Sequence, residues 1–156
     1  MVARELDAID RKILAALQED GRQSMADLAE RVGLSPSPCH RRVGILEAAG
    51  VIERYIAVVN QRAVGLPVSV FVSIKLSSQK EAALLAFAQA IRNWPEVLEC
   101  YLMTGPRDYL LRVVAEDLES YERFLKQKLT RLDGIASIES SFALEQVKYT
   151  NVLPVP

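Results

Sequence analysis

Apolar positions keep a helical spacing up to about Val51 and a period of two thereafter. Leu6, Ile9, Ile13 and Leu17, with Ala16 beside them, share one face of a first predicted helix that Gly21 closes after Glu19 and Asp20. Met25, Leu28, Ala29 and Val32 repeat the pattern over two turns, with Ser24 as N-cap, Asp27 as an imperfect capping box and Gly33 as the stop. Ser35-Pro36 predicts a third start, because the hydroxyl takes an orphan N–H and proline's fixed φ suits the first helical position; Gly50 closes that helix. The run VIERYIAVV then reads as a strand, and Asn60, Gly65 and Pro67 break the pattern, so 60–67 is expected to be a linker.

Past the linker, Val68, Val70, Val72, Ile74 and Leu76 alternate with Ser69, Phe71, Ser73 and Lys75, which predicts a strand with one core face. A helix with Leu84, Phe87, Ala88 and Ile91 on one stripe ends at Pro95. VLECYLMT and, after a Gly105-Pro106 turn, DYLLRVVA read as two more strands. A helix with Leu118, Tyr121, Leu125, Leu129 and Leu132 inward and a last strand, IASIESSFAL, complete the order β-α-β-β-α-β. That order is the split βαβ, or ferredoxin-like, plan: four antiparallel strands with both helices on one face. The expected fold class is therefore α+β. An N-terminal three-helix domain at 1–59, winged-helix-like in its arrangement, is joined by the linker to a ferredoxin-like βαββαβ domain at 68–156. The uncovered sheet face is expected to carry Phe71, Tyr101, Met103, Leu110 and Val114, enough apolar surface to pack against a second copy as a homodimer.

Composition narrows the possibilities. At 156 residues the chain has room for one domain or two small ones, and 50% hydrophobic with 25% charged residues is an ordinary globular balance. Nineteen Lys and Arg against twenty Asp and Glu leave a formal charge of -1, so any anion site must be local. The two cysteines form no metal-ligand spacing and no disulfide framework, which favours a reducing compartment. The first residues are charged where a signal peptide needs an apolar run, and no stretch approaches the ~18 apolar residues of a membrane span. The expectation is a cytoplasmic protein without membrane partners.

Two short helices joined by Gly33-Leu34-Ser35 match the arithmetic of a helix-turn-helix, whose second helix enters the DNA major groove. At 100° per residue, Cys39, Val43 and Leu46 seat the third helix on the other two, and Ser37, Arg41 and Gly44 lie opposite, flanked by Pro38, His40 and Ile45. Between Ser35 and Leu46 there are two arginines, one histidine and no carboxylate. The candidate DNA-binding residues are Ser35, Ser37, His40, Arg41 and Arg42. A guanidinium matches guanine O6 and N7, so Arg41 is the candidate for a base edge. Arg42 is the candidate for phosphate, with Ser37 and the helix N-terminus placing the backbone. Three such helices also build purely structural modules, and spacing alone leaves that reading open. Cys39 and His40 point about 100° apart and form no dyad; with one histidine and no Gly-rich phosphate loop, catalysis has no constellation and no metal is expected.

The string LDAIDRKILAALQEDGRQSMADLAERVGLSPSPCHRRVGILEAAGVIERYIAVVN resembles the N-terminal half of the Lrp/AsnC (leucine-responsive/asparagine-operon) family of feast-or-famine regulators. PEVLECYLMTGPRDYLLRVV and SSFALEQVKYTNVLP resemble its ligand-sensing half, so the likeness spans residues 5–154. The resemblance implies a transcription regulator that binds double-stranded DNA. It further implies homodimers assembled into tetramers or octamers and a small effector, usually an amino acid, with no other cofactor. By that resemblance the effector lies between dimers against the loop Thr104-Gly105-Pro106-Arg107-Asp108. In chemical terms, Asp108 pairs the ammonium, backbone N–H groups near Thr104 and Gly105 take the carboxylate, and Tyr101, Leu102 or Met103 receive the side chain. The alternative is a plain hairpin turn in which Asp108 bonds its own backbone. Two residue choices depart from the family: Gly44 and Ile45 stand where basic residues are common, and Pro106-Arg107 where acidic or aromatic ones are. Arg107 then either meets a second acidic group on the ligand or points to solvent. The first departure also leaves open a small-molecule sensor or an architectural DNA-binding protein of weak sequence specificity.

Overall fold

The computed structural model describes residues 5–155, so residues 1–4 and Pro156, the outer ends of the two expected domains, lie outside it. Two units result: one runs to Val58 and takes in the tail from Lys148, and the other is Val59–Val147.

The first unit holds α1 (Ala8–Glu19), α2 (Met25–Val32) and α3 (Pro36–Ala48). Helix α1 begins at a capping box: the Asp7 carboxylate accepts from the backbone N–H groups of Ile9 and Asp10, and the Asp10 carboxylate accepts from the Asp7 N–H. Ser24 caps α2 through the Asp27 N–H, and Gly33 ends it in the left-handed region at φ 76°. Ser35 does occupy the N-cap of α3, but contrary to the sequence expectation its hydroxyl accepts no N–H. The next residues leave it few donors: Pro36 and Pro38 carry no N–H, the Cys39 N–H is taken by the Ser35 carbonyl at 3.3 Å, and only the Ser37 N–H remains, which the hydroxyl does not accept. Ile13, Leu28, Ala29, Val32, Cys39, Val43 and Leu46 form the core.

The segment VIERYIAVV forms no strand. A strand needs a neighbour for its N–H and C=O groups, and none pairs with it among the described residues. Ile56, Val58 and Val59 stay exposed, and Tyr55 is held at α3 by a 3.0 Å bond from its hydroxyl to Glu47. The tail is a second revision, because residues expected to belong to the sheet domain return to the helices. The Gln18 side-chain amide donates to the Leu153 carbonyl at 3.1 Å and accepts the Leu153 N–H at 2.6 Å, while Val155 packs on the helical core.

In the second unit β1 (Val68–Leu76), β2 (Val97–Leu102), β3 (Tyr109–Ala115) and β4 (Ile135–Phe142) form one antiparallel sheet in the order β2-β3-β1-β4. Helices α4 (Glu81–Ile91) and α5 (Leu118–Gln127) lie between its strands in sequence, as the ferredoxin-like plan requires. Val70, Val72, Ile74, Leu111 and Val113 pack with Phe87, Ile91, Tyr121, Phe124 and Leu129. Phe124 takes the inward place expected of Leu118, which is exposed: Asp117 caps α5 and leaves Leu118 on the solvent side of the first turn. The expected linker is ordered onto the sheet, since the Gln61 side chain bonds the Leu66 carbonyl at 2.6 Å and the Ser69 hydroxyl at 2.9 Å. The open face is less apolar than expected. Phe71, Leu110 and Tyr101 make a stripe, but Val114 is buried, Met103 lies beyond β2, and β4 contributes Ser137, Glu139 and Ser141.

Candidate DNA-reading face and ligand-binding edge

The period of α3 sorts its side chains into two sets. Cys39, Val43 and Leu46 are buried, whereas Ser35, Ser37, Pro38, His40, Arg41, Gly44 and Ile45 face solvent. Ser37, Arg41 and Ile45, at i, i+4 and i+8, form one exposed ridge. With proline at the first and third helical positions, the α3 N-terminus offers an anion little beyond the Ser37 N–H and hydroxyl.

Arg42 does not join that face. Its guanidinium donates to Asp7 Oδ2 at 2.6 Å and to Asp10 Oδ1 at 2.9 Å, binding the start of α1 to the middle of α3. One residue past Arg41, the backbone has turned 100° toward α1, where a buried Asp10 carboxylate requires a cation. The Asp10 N–H, followed by Arg42, holds the Asp7 carboxyl below the usual carboxylate range, and Asp7 and Asp10 raise the Arg42 guanidinium in turn. Arg42 is thus a strut between helices, not the phosphate ligand expected from sequence. The signal for it was Asp7-x-x-Asp10, a capping box just ahead of an apolar run.

In the second unit the hairpin between β2 and β3 is closed by a 2.8 Å bond from the Met103 N–H to the Asp108 carbonyl. Thr104 and Gly105 stand exposed at its tip, where Gly105 has φ 103°. Tyr101 and Leu102 fall on opposite faces: Tyr101 pairs with Leu110 and donates to Glu99 at 3.1 Å, and Leu102 pairs with Tyr109 on the helix side. They do not form one wall within this chain. Asp108 turns away from the loop altogether. Its buried carboxylate accepts the Leu76 N–H at 2.7 Å and the Gln79 amide at 3.3 Å, with Lys75 Nζ at 3.5 Å. The β1–β4 register breaks between Lys75 and Leu76, and Asp108 supplies the acceptor there. The Leu76 N–H, then Gln79 and Lys75, keep its pKa below the ordinary value despite burial. Neither the ammonium partner nor the self-bonded turn describes it. Arg107, one residue earlier, is partly exposed; it bonds Ser137 at 2.9 Å and pairs with Glu139.

Sequence reasoning also missed a cleft of about 420 Å³ on the helix side of β2, with Ile91, Leu98, Cys100, Leu102 and Tyr109 in its lining and Arg92 beside them. Its trace in the sequence is the alternation in VLECYL, on a strand that the topology puts at the sheet edge. Cys100 is exposed at this cleft, and partial desolvation of its sulfur pushes the thiol up to about 11, so it is protonated at neutral pH. Among the described residues no group of three or more His, Cys, Asp or Glu is arranged to hold a metal, and no helix is long and apolar enough to cross a membrane.

Two family models match the two halves of the chain: a winged helix-turn-helix DNA-binding model matches residues 6–53 and the Lrp/AsnC ligand binding domain matches residues 69–153, its end taking in the tail that the structure places with the helices. The chain belongs to the Lrp/AsnC family. It is 45% identical over 149 residues to a leucine-responsive regulatory protein of Rhizobium meliloti, covering 95% of this chain and 96% of that one. It is likewise 45% identical over 151 residues to the Bkd operon transcriptional regulator of Pseudomonas aeruginosa, covering 97% and 99%. Among solved structures it is similar to a Neisseria meningitidis transcriptional regulator in complex with L-Met, with a TM-score of 0.92 and 40% identity over 96% of this chain and 97% of the other. This Lrp/AsnC protein is a transcriptional regulator with a DNA-binding and a ligand-binding domain, not an enzyme.

Proposed function

We propose that this regulator works as a homo-oligomer whose hold on DNA is changed by an amino acid bound at the β2 end of the ligand-binding domain. The cleft on the helix side of β2 carries this reading. Its volume of about 420 Å³ suits a small ligand. Ile91, Leu98, Leu102 and Tyr109 provide an apolar floor, Arg92 suits a carboxylate, and the carbonyls on the unpaired edge of β2 suit an ammonium. An α-amino acid carries those three features together. The L-Met complex of the Neisseria relative supports the ligand class. In this reading Leu102 keeps its role, Tyr101, Met103, Thr104 and Gly105 complete the site from a second copy, and Asp108 is released from the ammonium. No cofactor besides the effector is required.

The stripe of Phe71, Leu110 and Tyr101 on the open face is the dimer contact, and two α3 helices then address successive major grooves of a pseudo-palindromic site. Dimers associate further, to tetramers or octamers, around the effector. Effector and DNA are linked: a factor by which the amino acid changes DNA affinity is the factor by which DNA changes amino-acid affinity. The test is fluorescence anisotropy of the full chain with its upstream intergenic DNA and a scrambled control, at ~0.15 M salt, with each L-amino acid added in turn and L-Met first. Tight binding to the native fragment, shifted by one amino acid, is expected. Equal weak binding to both DNAs would favour the small-molecule sensor or the architectural reading, and indifference to all the amino acids would remove the effector. Sedimentation as a monomer at micromolar concentration would remove the oligomer.

A further inference from the structure

We propose that Ile45 is a specificity-determining residue that reads thymine by seating its 5-methyl group, one turn along α3 from the guanine read by Arg41. The other large apolar side chains of α3 are buried, Val43 and Leu46 in the core, but Ile45 is 38% exposed on the ridge that carries Ser37 and Arg41. Gly44 beside it has no side chain, and a Cβ built there would meet nothing within 4 Å. The backbone at this point is therefore bare, and α3 can approach a groove floor closely enough for a branched C4 side chain to touch it. Isoleucine offers no hydrogen bond to a base edge. Among the four base pairs, the apolar feature presented in the major groove is the thymine methyl, so an exposed isoleucine there selects thymine by contact and desolvation. Residues four apart on a helix hold their Cβ atoms about 5–6 Å apart, and successive base pairs rise about 3.4 Å. The thymine thus lies one or two base pairs from the guanine of Arg41.

This inference rests on α3 entering the major groove with Arg41 at a base edge, and the test separates the two. Duplexes are selected from a random pool by the purified full-length chain. Each thymine of a selected duplex is then replaced by deoxyuridine, which removes the methyl alone, and each guanine by 7-deazaguanine, which removes an acceptor of the Arg41 contact. For wild type, one deoxyuridine in a single half-site is expected to weaken binding about fourfold, the worth of one buried methyl group, and one in each half-site about fifteenfold. Ile45→Ala, at an exposed helical position where alanine is well tolerated, is expected to fold normally and to bind thymine and uracil duplexes alike. Uracil accepted at every position, with 7-deazaguanine still weakening wild type but not Arg41→Ala, would overturn the role of Ile45 and leave α3 docking intact. Uracil sensitivity kept by Ile45→Ala at the same thymine would overturn it too. A pool that enriches no sequence would overturn both readings.

Discussion

The three-helix unit and the sheet unit both draw a charged residue nominated for ligand binding into their own framework, but only the helical unit keeps a second one outside. In α3 each residue turns 100°, so Arg42 can serve the buried Asp10 while Arg41, its neighbour, remains on the outer ridge. The β2–β3 hairpin has no such period. Its one carboxylate, Asp108, faces the unpaired N–H left where β1 breaks register, and the loop leaves Met103, Thr104, Gly105 and Pro106 exposed. A regular helix can build a core and a reading face from adjacent residues. A tight turn commits its polar side chains to closing itself and the strand ends.

The sharpest way to break this comparison is to remove each arginine in turn. Arg41→Ala is expected to cost about 10- to 100-fold in affinity for a selected duplex, the range for a bidentate base contact. Arg42→Ala, which removes the guanidinium that joins Asp7 and Asp10 to α3, is expected to lower the melting temperature while changing DNA affinity of the folded protein less than twofold; anisotropy and thermal melts on both variants decide it. Equal losses of affinity would erase the distinction.

Asp108 is the corresponding test in the sheet. Asp108→Ala leaves the Leu76 N–H without its acceptor, at a cost of about 1–3 kcal/mol in urea melts, with amino-acid affinity per folded molecule unchanged. A depressed folded-state pKa means that the carboxylate stabilises the fold above its unfolded-state pKa. That contribution is lost as the pH falls through the lower, folded value. Wild type and Asp108→Asn are therefore expected to converge in stability below about pH 4, where the unfolded carboxyl protonates. A difference that persists or widens there would contradict the assignment.

Smaller effects sharpen the picture within the helical unit. Gln18→Ala removes both bonds to Leu153 and is expected to destabilise that unit by about 1 kcal/mol in hydrogen-exchange measurements on α1. Gly44→Ala meets no atoms and replaces the weakest helix former but proline, so a gain of at most about 1 kcal/mol is expected in a thermal or urea melt.

Much of this was legible from spacing. The helical stripes predicted α1 to α3 and the burial of Cys39, Val43 and Leu46, and the two-residue alternation predicted β1 with its inward Val70, Val72 and Ile74. The exposed set on α3 followed from the same arithmetic. What escaped were features that depend on a partner far along the chain. VIERYIAVV has a strand's pattern, yet pattern supplies no neighbour for its backbone. Tyr101, Leu102 and Met103 stand as alternatives in sequence, and only pairing with Leu110 and Tyr109 puts Tyr101 and Leu102 on opposite faces.

By itself, then, the sequence determined what repeats locally: helix and strand periods, caps, the βαββαβ order and the family to which these motifs belong. Backbone geometry turns a side chain by a set angle at each residue, so those features can be counted. Tertiary structure alone decided the fate of unpaired groups. It brought Arg42 to Asp10, Asp108 to Leu76 and Gln18 to Leu153, across 32, 32 and 135 positions of chain. A buried charge or an orphaned N–H takes the complementary group that folding brings within reach, and no sequence interval records which group that is.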